Sequence, residues 1–208
     1  RELAARDDSH GAAHAMAVRD TAMMLLDSVG ADDGDRRIVE LAALLHDVVD
    51  HKYAAEVEAG LPARLDALID ELTAGAEADA AAVRRIIEEV SYSKEARARR
   101  AGQQPSWAAM DERTVMLRHC VSDADKLEAL GAVGLRRCVE YTRHRMPGAG
   151  DAEVAAAVAQ HLDEKLLRLR GEYMHTALGR ELALPRHELL EGWRQRAVDA
   201  GVAAGVGA

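Results

Sequence analysis

Apolar positions along this chain recur three and four residues apart, and no run of alternating β-branched residues marks a strand. The pattern predicts an all-α fold. A first helix, capped at Asp8-Ser9, runs to about Ser28 with His14, Val18, Thr21, Ala22 and Leu25 on its inward side. Gly30 to Asp35 makes a turn, and a second helix runs from about Asp35 to Asp50. Its residues Ile38, Leu41, Ala42, Leu45 and Val49 form a stripe roughly 100° wide, while His46, Asp47 and Asp50 fill the adjoining arc. Leu61-Pro62 opens a third helix, where the missing proline N–H does no harm, and Gly75 closes it. A fourth spans Asp79 to about Tyr92. Ser93 to Met110, with Arg97, Arg99 and Arg100 followed by Gly102, Gln103, Gln104 and Pro105, reads as a solvated linker.

From about Asp111 to Leu130 a fifth helix is apolar nearly all round, as expected of a buried central helix. Further helices are expected near Val133–Thr142, Asp151–Leu169 and Arg186–Val198. The turn Pro147-Gly148-Ala149-Gly150 and the region from Gly179 to Pro185 separate them. Residues 1–198 are read as a single compact domain and 199–208 as a disordered tail.

Composition narrows this picture. A hydrophobic fraction of 49% over 208 residues is ample for one core, but without Phe and with 3% aromatics it must be built from Leu, Val, Ile, Met and Ala. A net charge of −9 argues against a nucleic-acid or anionic-membrane surface, both of which need clustered Lys and Arg. Cys120 and Cys138 have no Cys-x-x-Cys spacing, so neither a zinc knuckle nor a disulfide framework is indicated. With no apolar run of membrane-spanning length and no signal-peptide pattern, a cytoplasmic location is expected. The chain begins at Arg1 instead of Met, and its native start is expected upstream.

The end of the second helix changes the picture most. An imidazole and two carboxylates beside a core stripe must be paired, solvated in a cleft or bound to a metal, because burying them alone costs several kcal/mol. The fifth helix carries Asp123 and Asp125 where no surface explains them. His14, His46, Asp47 and Asp125 would make a mixed nitrogen and oxygen set with open positions for water. Such a set suits one octahedral divalent ion, Mn²⁺, Mg²⁺, Ni²⁺, Co²⁺ or Fe²⁺, better than a closed structural zinc site. Periodicity alone does not choose between Asp123 and Asp125 for the last place.

The order His14, His46-Asp47, Asp125 resembles the HD-domain superfamily of metal-dependent phosphohydrolases. More narrowly, it is similar to small bacterial HD hydrolases that read Ser-His-Gly near the start, Leu-Leu-His-Asp in the second helix and Asp-Ala-Asp-x-Leu later. Those motifs stand here at Ser9 to Gly11, Leu44 to Asp47 and Asp123 to Leu127. The match continues with Gly131 to Gly134 and His161 to Leu167, and covers about Asp8 to Trp193. The resemblance implies an all-α fold, a divalent metal and phosphohydrolase activity, with nucleotide pyrophosphohydrolases among the relatives. Its Ala-Asp-x-Leu frame selects Asp125 as the last ligand and leaves Asp123 to support it. The chain departs from the pattern at Ala12 and Ala17, where relatives carry Trp and Arg, and in Arg118, His119 and Cys120.

Further residues are assigned beside plainer readings. Asp50, one turn from His46, is a candidate general acid/base, or a helix-end carboxylate paired with Lys52. Lys52 is a candidate phosphate contact, or a solvated cation, and His51 is a weaker candidate. His161 and Lys165 share the inward arc of Val158, Leu162 and Leu169 and are candidates to bind substrate phosphate; alternatively the lysine stem covers core while its ammonium reaches water. Arg180, Arg186 and His187 default to surface roles. The expected reaction is attack of metal-activated water on the phosphorus of a small-molecule phosphate ester or nucleotide. The alternatives are a nucleotidase or phosphodiesterase, a non-catalytic ligand sensor, or an oxygenase with two irons; a homodimer is left open.

Overall fold

The periodicity of the first two helices accounts for how they pack. In the computed structural model, which describes residues 11–48 and 60–205 with side chains through Gly201, α1 spans Ala12–Val29 and α2 Asp33–Leu45. The two pack together, α1 burying Val18, Ala22, Leu25 and Leu26 and α2 burying Ile38, Val39, Ala42 and Ala43. The alanines let the helices approach closely, and each buried Leu or Ile contributes about 1.5–3 kcal/mol. A capping box starts α2: Asp32 accepts from the Asp35 N–H at 2.8 Å, and Asp35 accepts in return from the Asp32 N–H at 3.3 Å. Asp35 also accepts from Arg113 Nε at 2.6 Å, which ties the start of α2 to the helix that carries Arg113.

The next elements are α3 (Leu61–Leu72), α4 (Glu77–Glu89), α5 (Tyr92–Arg100), a 3₁₀ turn at Ser106–Ala109 and α6 (Glu112–Glu128). Helix α4 packs on both α2 and α3. The solvated linker expected over Ser93 to Met110 is corrected, since it begins inside a helix and ends in a 3₁₀ turn. Arg97, Arg99 and Arg100 lie exposed on α5, while Glu95 and Ala96 face inward at 1% and 2% exposure. The charges obscured the periodicity because they occupy only its outer face.

Contacts gather the chain into two compact units divided between Ala124 and Asp125, within α6, where the sequence predicts one domain over 1–198. The second unit comprises α7 (Gly131–Arg145), α8 (Asp151–His161), two π-helical stretches at Leu162–Leu166 and Leu169–Tyr173, and α9 (Ala177–Gly205). Helices α7, α8 and α9 each pack on the other two. Gly131, at φ 74°, adopts the left-handed conformation that favours glycine. Gly134 is required for space, since a Cβ there would stand 2.0 Å from the Ala129 carbonyl oxygen.

Helix α9 passes through Pro185, so the expected break between Gly179 and Pro185 is also corrected. Proline inside a helix costs about 3 kcal/mol. Here its ring is exposed, while Ala183 and Leu190 on either side are fully buried. Arg186 has more than a surface role, its Nη1 donating to the Leu127 carbonyl at 2.6 Å and satisfying one of the open acceptors at the end of α6. The helix extends to Gly205, beyond the domain end expected at 198. Among the described residues there is no strand, and no helix is long and apolar enough to cross a membrane.

Candidate metal centre

His14 lies in the first turn of α1, on the side that buries Ala15 and Val18, and is itself buried. The body of α2 ends at Leu45, so His46 is its C-cap and Asp47 follows in a turn, where the sequence reading extended the helix to Asp50. The Val48 N–H closes that turn by donating to the Leu45 carbonyl at 3.0 Å. The negative end of the α2 dipole therefore points toward Asp47, an arrangement that disfavours another anion and favours a cation.

These side chains converge. The Asp47 Oδ2 atom lies 3.6 Å from His14 Nε2 and 3.5 Å from His46 Nε2. The two imidazole centroids are 5.4 Å apart at an interplanar angle of 60°. His14, His46 and Asp125 each present one ligand atom within 4.8 Å of the others. Asp125 belongs to the same unbroken helix as the first unit's residues 112–124, so its placement follows from α6. His46 Nδ1 sits 2.8 Å from the Ala43 carbonyl. In the neutral ring Nδ1 donates there, which leaves the Nε2 lone pair on the side of the cluster, the orientation usual for a metal-ligating histidine. Two imidazole nitrogens with two carboxylates fit an octahedral divalent ion.

Of the two candidates on α6, Asp125 joins the histidines, whereas Asp123 is fully buried in the interior. Burial, and secondarily the charge of Asp123, pushes the Cys120 thiol up to about 12, so it stays protonated and is neither a nucleophile nor a metal thiolate at neutral pH. Asp50 and Lys52 lie outside the described residues, as does His51. His161 and Lys165 sit in the second unit, at the end of α8 and within the first π-helical stretch. Their expected shared inward arc is corrected for His161, which is exposed, while Lys165 is half-buried. The π-helical stretch widens the turn, so a wheel of 100° per residue no longer applies there. Surrounding protein, and then the Lys165 ammonium, hold the His161 pKa below its usual value although one edge of the ring meets solvent.

A second buried polar cluster was not foreseen. Arg118 is fully buried, donating from Nε to the Glu89 carbonyl at 2.9 Å and from Nη2 to Glu95 Oε2 at 3.1 Å. Its Cζ lies 5.0 Å from the Trp107 ring centroid, and the Trp107 ring meets His119 edge-on at 4.9 Å. The signal in the sequence was an Arg in the middle of a helix read as apolar nearly all round, and a lone Glu among the arginines of α5.

No family model matches the chain. Among curated proteins it is 32% identical over 160 residues to YpgQ of Bacillus subtilis, spanning 76% of this chain and 70% of that one. The crystal structure of Bacillus subtilis YpgQ in complex with ADP aligns with a TM-score of 0.61 at 28% identity, covering 95% of this chain and 88% of the other. That of an HD-superfamily hydrolase from Bacillus thuringiensis aligns with a TM-score of 0.60 at 25% identity, covering 90% and 84%.

Proposed function

This chain belongs to the HD-domain metal-dependent phosphohydrolases, and from that premise we propose that it hydrolyses a nucleotide, releasing pyrophosphate from a nucleoside triphosphate. The observation that carries the reading is the convergence of His14, His46, Asp47 and Asp125. The nucleotide class is supported by the ADP bound to the similar YpgQ.

In this reading His14 and His46 supply nitrogen lone pairs and Asp47 and Asp125 supply carboxylate oxygens to one divalent ion. Such an ion lowers the pKa of a bound water and polarises a phosphoryl oxygen, which brings hydrolysis into the neutral pH range. Ala43 holds the His46 ring in the orientation this requires. Asp50 receives and returns the proton of the attacking water. Lys165 offsets the negative charge that grows on the phosphate oxygens, with His161 and Lys52 as further phosphate contacts.

Nucleoside tri-, di- and monophosphates screened against Mn²⁺, Mg²⁺, Co²⁺ and Ni²⁺ test the reading. A monophosphate and pyrophosphate are expected from a triphosphate. Metal-loaded protein that turns over no nucleotide with any of the four ions would overturn it. Asp50→Asn is expected to retain the metal and lose turnover by about 10²–10⁴-fold. Metal content and single-turnover rates separate these two effects.

A further inference from the structure

Helix α4 ends at Glu89, and the carbonyls of its last turn need partners from outside the helix. Three side chains supply them. Lys94 Nζ donates to the Glu88 carbonyl at 2.7 Å, Arg118 Nε to Glu89 at 2.9 Å, and Ser122 Oγ to Val90 at 3.3 Å. Two of these donors stand one turn apart on α6, and both are fully buried. The Arg118 guanidinium is held on its remaining edges as well. Nη2 bonds the carboxylate of Glu95, whose other oxygen accepts from Arg99 Nη2 at 2.9 Å, and Nη1 lies 3.2 Å from His119 Nδ1. A planar fork engaged this way fixes orientation as well as distance.

Asp125 stands two turns further along the same helix. Seven residues at about 100° each bring it back to within roughly 20° of the direction of Arg118. Arg118, Ser122 and Asp125 thus share one side of α6, and whatever sets the rotation of that side sets the carboxylate. Turning α6 by about 20° would carry a side-chain atom roughly 6 Å from the axis through about 2 Å. A metal ligand tolerates about 0.5 Å.

We propose that Arg118, clamped on the carbonyl end of α4 and on Glu95, is a positioning residue of the metal centre that holds α6 at the rotation bringing Asp125 to His14 and His46. The proposal rests on the assignment of the metal to those residues.

Titration of the full chain with Mn²⁺, read by calorimetry below the melting temperature, tests it. Arg118→Met alone leaves Glu95 buried without its cation, so the informative variant is Arg118→Met with Glu95→Met, which removes both charges together. Folded by circular dichroism, it is expected to bind Mn²⁺ about 10–100-fold more weakly than the parent. Arg118→Lys, which keeps a cation for Glu95 but lacks the fork, is expected to weaken binding less and stands in if the double variant does not fold. Ile69→Ala, a core substitution on α3, is the stability control and is expected to lower the melting temperature with Mn²⁺ affinity unchanged. Parent-like affinity in the folded double variant or in Arg118→Lys, or an equal loss in Ile69→Ala, would overturn the positioning role. Asp125→Asn separates the two levels. Parent-like affinity there overturns the metal assignment and the positioning role with it; a loss there with the Arg118 variants unaffected overturns the positioning role alone.

Discussion

Two polar clusters among the described residues, one at the end of α2 and one at the end of α4, are built from similar material and differ in the chemistry they gather. Around Arg118 a guanidinium faces a carboxylate and a helix-end carbonyl, and cation and anion balance as a pair. Around Asp47, two imidazoles and two carboxylates from α1, the end of α2 and α6 converge beside the negative end of a helix as a mixed nitrogen and oxygen set. The first arrangement is complete as a structural joint. The second is a donor set that fits a divalent cation. The lesson is that burial of polar groups does not mark a site; the convergence of metal-ligating atoms from separate segments does.

The largest effect expected comes from the cluster around Asp47. His46→Ala or Asp47→Ala should remove the metal and lower turnover by about 10³-fold or more, several kcal/mol of charge stabilisation being lost, while the helical fold persists. Metal analysis on protein purified without chelator checks this, and full occupancy in both variants would dissolve the contrast. The balanced cluster should answer oppositely. Glu95→Gln leaves the Arg118 cation without its anion in a dry interior and should cost about 3–5 kcal/mol in urea unfolding. A change under 1 kcal/mol would mean that the joint contributes little.

Smaller effects sharpen the contrast within α6 and in the second unit. Asp125→Asn should lower metal affinity more than Asp123→Asn, because only Asp125 reaches the histidines; the reverse order would move the last ligand inward. Lys165→Ala should raise KM, and lower kcat to the extent that its charge acts in the transition state. The smallest effect concerns His161. Its folded pKa is lowered, so the unfolded chain takes up the proton more readily as pH falls through the ordinary 6.5, and stability should decline below that value. Urea unfolding at about pH 7.5 and 5.5 should show a smaller decline in His161→Gln.

Much of this was legible in the chain. Strict three-and-four spacing specified helices α1, α3, α4 and α6 to within a few residues and overran the end of α2 at Leu45, and the frames around His14, His46 and Asp125 named three candidate ligands whose atoms the structure brings within 4.8 Å. What escaped was of one kind. Helix α5 was hidden because Arg97, Arg99 and Arg100 raised its polarity while only Glu95 and Ala96 turned inward. The passage of α9 through Pro185 and the wide turn at Leu162–Leu166 break the local rules on which a helical wheel depends.

By itself, then, the sequence determined the helical class, the apolar stripes and the identities of the metal-binding candidates, because periodicity and side-chain chemistry are local properties. Periodicity left Asp123 and Asp125 open and the family resemblance favoured Asp125; the tertiary structure shows that the two, two residues apart on one helix, face different surroundings. It also decided that Arg118 and Glu95, distant in sequence, are a closed pair. Both outcomes depend on how α6 is rotated against its neighbours. That rotation is set by contacts between helices, which no spacing along a single chain encodes.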